Sequence, residues 1–300
     1  MNNLTKDLGL KVLPVVIVAI TAEVLYLRAR RGTFPFPELF CSFVIAAGQR
    51  LIGLLTHGLT LAILLFVYGH RLFTIEMKTP LHYFGLFLVV EFVYYWFHRL
   101  SHEVRWLWAT HSVHHSATHL NLSASYRLGW TSFISGAWVF WLALVWLGVH
   151  PLPILALMGI NLAYQFWLHT ETVPPLRGLE YLLNTPSLHR VHHASNPEYL
   201  DRNYGGVLMI YDLIFGTFKS ERGDISIRYG LAGVRTSLNP IRIAFQEWVW
   251  IGRDLWKART LSAQVHAAFG HPRSALDYED CDAIDLPQGL RFQRISPKSR

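Results

Sequence analysis

Histidines are concentrated in two short stretches of the chain, at spacings that could hold metal ions. The first runs from His98 to His115 and reads HRLSHEVRWLWATHSVHH. The second, His189 to His193, reads HRVHH and repeats the His-x-x-His-His spacing that ends the first. Residues three and four apart share one face of a helix, so each group should present its imidazoles together. These eight histidines exceed what one ion can use, so the spacing predicts two neighbouring ions.

A ninth histidine, His169, ends an apolar run and is predicted to join these groups. A single helical pair of histidines is often only a polar surface feature. Lysine, however, is the usual choice for a solvated basic face, and packing does not require adjacent imidazoles, so repeated clusters favour metal binding. The remaining seven histidines are isolated and are interpreted as interfacial or structural: His57, His70, His82, His119, His150, His266 and His271.

The composition is typical of a membrane protein. Of 300 residues, 52% are hydrophobic and only 16% are charged, whereas about a quarter of a globular chain is charged. The formal net charge of +7 suits contact with anionic lipid headgroups. Nucleic acid is not expected as a partner, because no basic cluster is interleaved with exposed stacking aromatics. Cys41 and Cys281 support neither a disulfide framework nor a cysteine-based zinc site.

Apolar runs predict several membrane crossings in the first half of the chain. Residues 12–27 are expected to form a retained anchor, and the basic motif RARR after them places its end in the cytoplasm. Residues 39–50 are expected to be interfacial, followed by spans at 51–68 and 81–97. Glu91 lies inside the last of these spans, where a functional role and a buried, hydrogen-bonded structural role are both open.

Two further runs, 133–149 and 152–168, predict a membrane hairpin that returns His169 to the side of His98. No span follows, so every histidine cluster should lie on the cytoplasmic side of a cell inner membrane or an endoplasmic reticulum. The expected fold is an all-α, multi-pass membrane bundle with a cytoplasmic helical cap that holds the two metals. The expected divisions are membrane spans and an interfacial stretch at 1–79, a catalytic domain at 80–222, an amphipathic interfacial segment at 223–270 and a polar tail at 271–300.

The position of the clusters bears on the identity of the metal. Nitrogen-rich sites suit iron, copper, zinc or nickel rather than magnesium or calcium. Zinc would make a hydrolase or a structural site, but no nucleophile or catalytic-glutamate motif accompanies the clusters. A centre beside the bilayer can admit a lipid chain, and attack on its unactivated C–H bonds needs a redox metal with dioxygen. Iron is therefore the favoured interpretation.

Five stretches carry a more specific pattern: YYWFHRLSHE, HHSATHLNLSASYR, YQFWLHTE, LNTPSLHRVHH and DRNYGGVLMIYDLIFGTF. Their order resembles that of the fatty acid hydroxylase/sterol desaturase superfamily of membrane non-haem di-iron enzymes. The resemblance is strong over about residues 80–220, and within the superfamily the chain looks most like the alkylglycerol monooxygenases. It implies two iron ions with dioxygen as cosubstrate, held by His98, His102, His111, His114, His115, His169, His189, His192 and His193.

The same resemblance implies residues that could orient the ligands: Glu171, Asn184, Asp201 and Asn203. Gln165 is a further candidate, because it lies one helical turn before His169 on the same face and is predicted to point at the same centre. Fatty acid 2-hydroxylases carry a histidine where this chain has Gln165, which favours the alkylglycerol branch. The chain also lacks the hydrophobic helices that follow the catalytic region of the animal alkylglycerol enzyme. Tetrahydrobiopterin as reductant and an ether lipid as substrate are therefore both open.

The expected activity is hydroxylation of a lipid alkyl or acyl chain with dioxygen and two electrons from an unidentified donor. A sterol or lipid desaturase of the same superfamily is the alternative. From another class, a histidine-rich metal transporter would need polar residues along its spans, which are nearly free of them apart from Glu91. The oligomeric state is not predicted.

Overall fold

The computed structural model describes residues 3–272, with side chains from residue 13 onward. These residues form helices, turns and loops with no strand, so the predicted all-α class is confirmed for them. The predicted polar tail lies outside the described residues except for its first two, and Cys281 lies outside them as well. The α-helices are α1 Asn3–Arg31, α2 Phe36–Gly69, α3 Pro80–Glu103, α4 Arg105–His115, α5 Ser132–Ser135, α6 Leu142–Leu147, α7 Pro151–Phe166, α8 Pro186–His192, α9 Ile210–Ile214, α10 Pro240–Lys257 and α11 Leu261–Phe269.

Two of the helices that carry clustered histidines, α3 and α8, begin with recognisable capping residues. Thr79 precedes α3 and its hydroxyl accepts a hydrogen bond from the backbone N–H of His82. Thr185 caps α8 in the same way, and a proline follows each threonine at the first helical position. Such caps satisfy orphan backbone donors, while proline already has the backbone angle that the first turn needs. The start of each of these two helices is therefore encoded locally.

Among the described residues, two helices are long and apolar enough to cross a membrane, α2 and α3. The predicted interfacial stretch and the span after it form one continuous helix, α2, which is not interrupted at Arg50. Gln49 and Arg50 are good helix formers and neither removes a backbone donor, so the helix continues through them. Leucines on the outer surface are strongly exposed, including Leu54 at 81% and Leu55 at 79%. Exposed apolar surface of this extent is typical of lipid contact.

The predicted hairpin of residues 133–168 has two unlike arms. Gly136, with φ of 80°, interrupts the first arm, which consists of α5, a 3₁₀ turn and α6. The second arm is the single helix α7. At the tip, the N–H groups of Leu72 and Ile75 donate to the carbonyls of Trp146 and Gly148, at 2.8 and 3.0 Å. The tip therefore lies level with the loop that joins α2 to α3.

Helices α3, α6 and α7 share the largest apolar core, together with the end of α2. Its fully or nearly buried members are Leu64, Leu86, Val90, Tyr94, Trp141, Leu144, Val145, Val149 and Ile154. The histidine-bearing parts of α3 and α4 lie at the opposite end of α3 from this hairpin tip. His98 follows Pro80 by eighteen residues, which corresponds to about 27 Å along a helix. The fold thus separates the tip from the clusters by roughly the thickness of a bilayer core.

Candidate metal centre

The nine predicted histidines come together in two adjoining groups. Within each group one nitrogen of every ring lies within 4.8 Å of the others, and nearly all of the rings are buried. The rings of His115 and His193, which belong to different groups, stack with their centroids 4.3 Å apart. The five-histidine group contains His98, His102, His111, His115 and His192, and the four-histidine group contains His114, His169, His189 and His193.

Each His-x-x-His-His motif is divided between the two groups. In α4, His111 and His115 belong to the five-histidine group, while His114 belongs to the four-histidine group. In and just after α8 the division is reversed, because His192 joins the five-histidine group. Positions i and i+4 point in nearly the same direction on a helix, and position i+3 points to the side. One short helix therefore contributes imidazoles to both groups.

The nitrogens that face each other within a group are Nε2 atoms at distances that suit ligands of one ion. His111 Nε2 lies 3.1 Å from His98 Nε2 and 3.2 Å from His115 Nε2. In the other group, His169 Nε2 lies 3.1 Å from His114 Nε2. With metal–nitrogen bonds of about 2.0–2.1 Å, neighbouring ligand nitrogens lie about 2.9 Å apart in octahedral and about 3.4 Å apart in tetrahedral geometry. The observed distances fall between these values.

The chemistry of the rings also fits metal binding. Burial lowers the pKa of the clustered histidines that lie outside α3, because desolvation disfavours the imidazolium cation. Neutral imidazole is the form that binds metals. The Nε2 atoms of His102 and His192 are buried and have no hydrogen-bond partner, whereas buried polar atoms normally have one. An ion held by the five-histidine group would satisfy both.

Backbone carbonyls on the outer side of the five-histidine group fix which ring nitrogen points inward. His98 Nδ1 donates to the carbonyl of Tyr204 at 2.8 Å, and His192 Nδ1 donates to that of Arg202 at 2.9 Å. With its proton on Nδ1, each ring presents an unprotonated Nε2 to the centre, the usual arrangement around a bound metal. Both acceptors lie in one loop, residues 201–205.

The acceptor loop contains two residues in the left-handed backbone conformation, and both are of types that tolerate it. Asp201 and Asn203 both have φ of 58°, and they are the non-glycine residues with positive φ among those described. Asp and Asn tolerate this left-handed conformation better than other side chains. Asn203 Nδ2 also donates to the carbonyls of Leu188 and Lys219, which ties the loop to α8. The Asp201 carboxylate lies 3.8 Å from His102 Nδ1.

Comparison with known proteins shows what this part of the chain is similar to. The fatty acid hydroxylase family matches residues 83–217, a range that contains all nine histidines. This part of the chain is therefore similar to that family. Alkylglycerol monooxygenase from Homo sapiens is 39% identical over 71% of this chain and 47% of its own length, and the Xenopus tropicalis protein of that name is 36% identical over 75% and 50%.

A bacterial relative matches a shorter region. Ornithine lipid hydroxylase OlsE from Rhizobium tropici is 32% identical over 49% of this chain and 44% of its own length. The chain spans about half the length of the curated relatives that it matches. No solved structure matches it significantly. The predicted resemblance to the superfamily is confirmed by these relatives.

The family pattern also drew attention to Gln165, which acts here through two different groups. Its backbone carbonyl accepts a hydrogen bond from His169 Nδ1 at 2.8 Å. Its side chain is turned away from the histidines, accepting from the Tyr94 hydroxyl at 3.0 Å and donating to Asn161 Oδ1. The carbonyl can thus orient a histidine of the four-histidine group, while the amide belongs to a polar network between α3 and α7.

Two further residues predicted to orient ligands lie one step away from the rings. Asn184 Nδ2 donates to the carbonyl of Gly205 at 2.7 Å and so supports the acceptor loop. Glu171 forms an ion pair with Arg31 at 2.8 Å. This pair joins the end of α1 to the segment that follows His169, so its contact with the site is indirect.

Asp212 is a support of the site that the sequence interpretation missed. Its carboxylate accepts from the N–H groups of Tyr204 and Gly205, at 2.8 and 2.7 Å, and from the Thr217 hydroxyl at 2.7 Å. Burial raises the pKa of Asp212 to about 6. Only the stretch DRNYGGVLMIYD hinted at it, because an acidic residue in an otherwise apolar segment needs a partner. Its partner is the acceptor loop, in which the Tyr204 carbonyl accepts the hydrogen bond from His98 Nδ1.

Proposed function

We propose that this chain is a membrane di-iron oxygenase that hydroxylates an alkyl or acyl chain of a lipid. The observation that carries the proposal is the convergence of five and four imidazoles into two adjoining groups. Its relatives have names that specify an alkylglycerol monooxygenase and an ornithine lipid hydroxylase. Both names describe oxidation of lipids, which agrees with apolar helices beside the metal centre.

In this proposal the five-histidine group holds one iron ion and the four-histidine group holds the other. When bound, the two ions would supply the oxidising power for C–H hydroxylation, with dioxygen and two electrons from a donor. The protein's own part is to present unprotonated Nε2 atoms and to exclude water from the centre. The Nδ1–H groups of His98 and His192 stay hydrogen-bonded to backbone carbonyls. Both rings therefore remain neutral and present an unprotonated Nε2 to the metal.

The proposed membrane placement has four crossings. Helices α2 and α3 would cross, and the hairpin of residues 133–168 would leave and re-enter on the histidine side. The hairpin tip and the 70–79 loop, joined by backbone hydrogen bonds, would lie together on the far side. The RARR motif at the end of α1 supports a cytoplasmic position for the histidine side. Helix α1 would then be an anchor packed beside the bundle.

The segment 223–270 would lie along the membrane surface. On α10 the exposed apolar residues Ile241, Val249 and Trp256 lie on one side, and Trp256 is 91% exposed. The Trp248 indole donates to Thr131 Oγ1 at 2.8 Å, which fixes α10 at the entry to the hairpin. Exposed basic residues accompany this face, as in helices that bind anionic lipid surfaces: Arg242, Arg253, Lys257 and Arg259.

A metal-transporter function is disfavoured by the state of Glu91. This residue is the carboxylate within α3 on which such an interpretation would rest. Its oxygens already accept hydrogen bonds from Asn161 and from the backbone N–H groups of Val207 and Leu208. A carboxylate engaged in this way is not available to bind a passing ion.

The test is to purify the chain from cells supplied with iron and to measure metal content and lipid products. We expect about two iron ions per chain, given the two imidazole groups. One atom from ¹⁸O₂ should enter the product. Parallel assays with an alkylglycerol, an ornithine lipid and a free fatty acid would identify the substrate. Parallel assays with tetrahydrobiopterin and with a ferredoxin–reductase pair would identify the electron donor.

His82→Ala is the matched control, because His82 starts α3 at the far end from the centre and belongs to neither group. It should keep both metal and product. His189→Ala should lose iron and product together. Stoichiometric zinc in active protein, with no iron requirement, would overturn the oxygenase proposal.

A further inference from the structure

A fully enclosed carboxylate lies in the middle of α3, one apolar layer away from the metal centre. Glu91 is 1% exposed. Its Oε1 accepts from Asn161 Nδ2 at 2.5 Å, and its Oε2 accepts from the N–H groups of Val207 and Leu208 at 2.8 and 2.9 Å. All of these neighbours are donors. The carboxyl group therefore has no acceptor for a proton of its own, an arrangement that suits the ionised form.

One branch of these contacts leads to the five-histidine group. The N–H groups of Val207 and Leu208 follow directly on the acceptor loop, residues 201–205. Within that loop the carbonyl of Tyr204 accepts a hydrogen bond from His98 Nδ1 at 2.8 Å. Gly206 lies so close to Asn161 that a Cβ atom there would be 2.2 Å from Asn161 Nδ2. Glu91 and its amide partner thus hold the end of the loop against α3 and α7.

The other branch leads to the four-histidine group. Asn161 is fully buried and its Oδ1 accepts from Gln165 Nε2 at 2.5 Å. The backbone carbonyl of Gln165 accepts from His169 Nδ1 at 2.8 Å. Asn161 and Gln165 lie one turn apart on α7, so a carboxylate on α3 fixes the rotation of the last turn of α7. That turn carries the acceptor for His169.

We propose that Glu91 is a positioning residue for both metal groups. One buried carboxylate fixes the loop that orients His98 and, through two amides, the helix end that orients His169. Glu91 contacts no metal ligand itself, so its effect passes entirely through backbone acceptors. This inference rests on the proposed function, because it takes the two histidine groups to be metal sites. Beyond the proposed function, it assigns to Glu91, within the apolar layer, a single support that positions both histidine groups.

Loss of the carboxylate should weaken both sites at once. Three N–H donors would lose their acceptor in a region without water to replace it. Partners that orient metal ligands typically change metal affinity or activity by about 10–100-fold when they are removed. Because the two branches reach different groups, we expect the loss to appear in both and not in one alone.

The first variant is Glu91→Met, which keeps an unbranched side chain of similar length but supplies no oxygen. Its matched control is Val89→Met, two residues away at a position 42% exposed on the outer surface of α3. Each protein is loaded with Fe(II) or with Co(II). Iron per chain measures affinity, and the visible ligand-field spectrum of Co(II) reports ligand geometry independently of turnover.

We expect Val89→Met to match the unaltered protein in both measurements. Glu91→Met should need about 10–100-fold more free metal to fill each site, and its Co(II) spectrum should change. Size-exclusion elution and the metal-free melting temperature show whether it is folded. Iron binding equal to that of Val89→Met at both sites would overturn the inference.

A second variant moves the negative charge from position 91 to position 161 and keeps every hydrogen bond of the network. In Glu91→Gln/Asn161→Asp, the new glutamine can accept from Val207 and Leu208 and can donate to the new aspartate. That aspartate can still accept from Gln165 Nε2. We expect metal binding and the Co(II) spectrum to return close to those of the unaltered protein. An exchange variant that is folded but as metal-poor as Glu91→Met would refute positioning by this network.

These outcomes separate the inference from the proposed function. If the unaltered protein binds no redox metal at its histidines, the proposed function fails first. If it binds about two ions per chain but Glu91→Met changes neither site, the metal centre stands and only the role of Glu91 is refuted.

Discussion

At the scale of single residues, the two histidine groups differ in a way that metal analysis can detect. His111 and His114 are three residues apart on α4 but serve different groups. Removal of His111 leaves four imidazoles in its group, whereas removal of His114 leaves three in the other. A site with three imidazoles holds a divalent ion less firmly, so the consequences should be unequal.

We therefore predict that His114→Ala lowers iron from about two ions per chain to about one, while His111→Ala retains most of both. Both variants should lose most of their turnover, because each centre needs its full geometry. Iron is measured by elemental analysis after gel filtration at one free-iron concentration. An equal iron loss in the two variants would contradict the assignment of these histidines to groups of five and four.

Residue patterns predicted the histidines themselves better than their surroundings. The His-x-x-His-His spacing selected six of the nine members of the two groups, while His98, His102 and His169 were added from a second histidine pair, an apolar run and the family resemblance. It did not show that the histidines at positions i and i+3 join different groups, because that depends on where the helices cross. Tyr204 and Gln165 contribute backbone carbonyls, and a carbonyl leaves no trace in residue type. Asp212 could have been suspected from its isolation in an apolar stretch, but its partners are set by the tertiary fold.

At the scale of elements, a polar contact joins the start of α2 to the loop that follows α4. His119 Nδ1 donates to Glu38 Oε2 at 2.6 Å, and the backbone N–H of Thr118 donates to Glu38 Oε1 at 2.5 Å. Arg127, 1% exposed, adds an ion pair to the same carboxylate at 3.3 Å. These bonds fix the loop after α4 at a point three residues beyond His115.

The contact should give folding stability a pH dependence. The hydrogen bond to Glu38 raises the pKa of His119 above its ordinary value of 6.5. Because the folded-state pKa is the higher one, the contribution of the His119 cation is fully present below about pH 6.5. It is lost as pH rises through the folded-state pKa. The imidazole is about half exposed, so solvent screens the effect and keeps it small.

We predict that the unaltered metal-free protein melts at a higher temperature than His119→Gln at about pH 6, and that this difference shrinks as pH rises to about 8. Glutamine can still hydrogen-bond to Glu38 but carries no charge, and the buried neutral histidines affect both proteins alike, so the difference isolates the His119 cation. Melting is followed by tryptophan fluorescence in detergent at several pH values. An identical slope for the variant and the unaltered protein would show that His119 does not supply the pH dependence.

Hydropathy predicted the elements that lie in apolar surroundings and misjudged their interruptions. A break was expected near Arg50, where two polar residues follow an apolar run, yet α2 passes through without one. A regular first arm was expected in the hairpin, yet Gly136 allows the chain to turn there. Hydropathy measures the preference of side chains for lipid, whereas a helix ends where its backbone hydrogen bonds end. The two properties coincide in α3 and differ in these elements.

At the scale of the whole molecule, the described residues separate into an apolar region and a polar end that holds the two histidine groups. The 70–79 loop and the hairpin tip close the apolar region at one end. At the other end the segment around Tyr229 borders the four-histidine group. Ala194, directly after His193, forms a bridge with Tyr229, and Ser195 N donates to the carbonyl of Arg228 at 2.7 Å. A membrane around the apolar region would therefore keep the two ends on opposite sides.

Cysteine labelling can test this arrangement at one exposed position from each end. Glu76 lies in the 70–79 loop with its side chain 56% exposed, and Asp224 lies near the metal centre with its side chain 65% exposed. Each is changed to cysteine in a background in which Cys41 and Cys281 are replaced by serine. We predict that a membrane-impermeant maleimide labels Asp224→Cys only from the cytoplasmic side and Glu76→Cys only from the other.

Each of these exposed residues pairs with a charge two positions away along the chain, a weak surface contact that the substitution can lose without unfolding the protein. Labelling of both from one side would mean that α2 and α3 do not cross the bilayer, and the apolar surface would then need another partner.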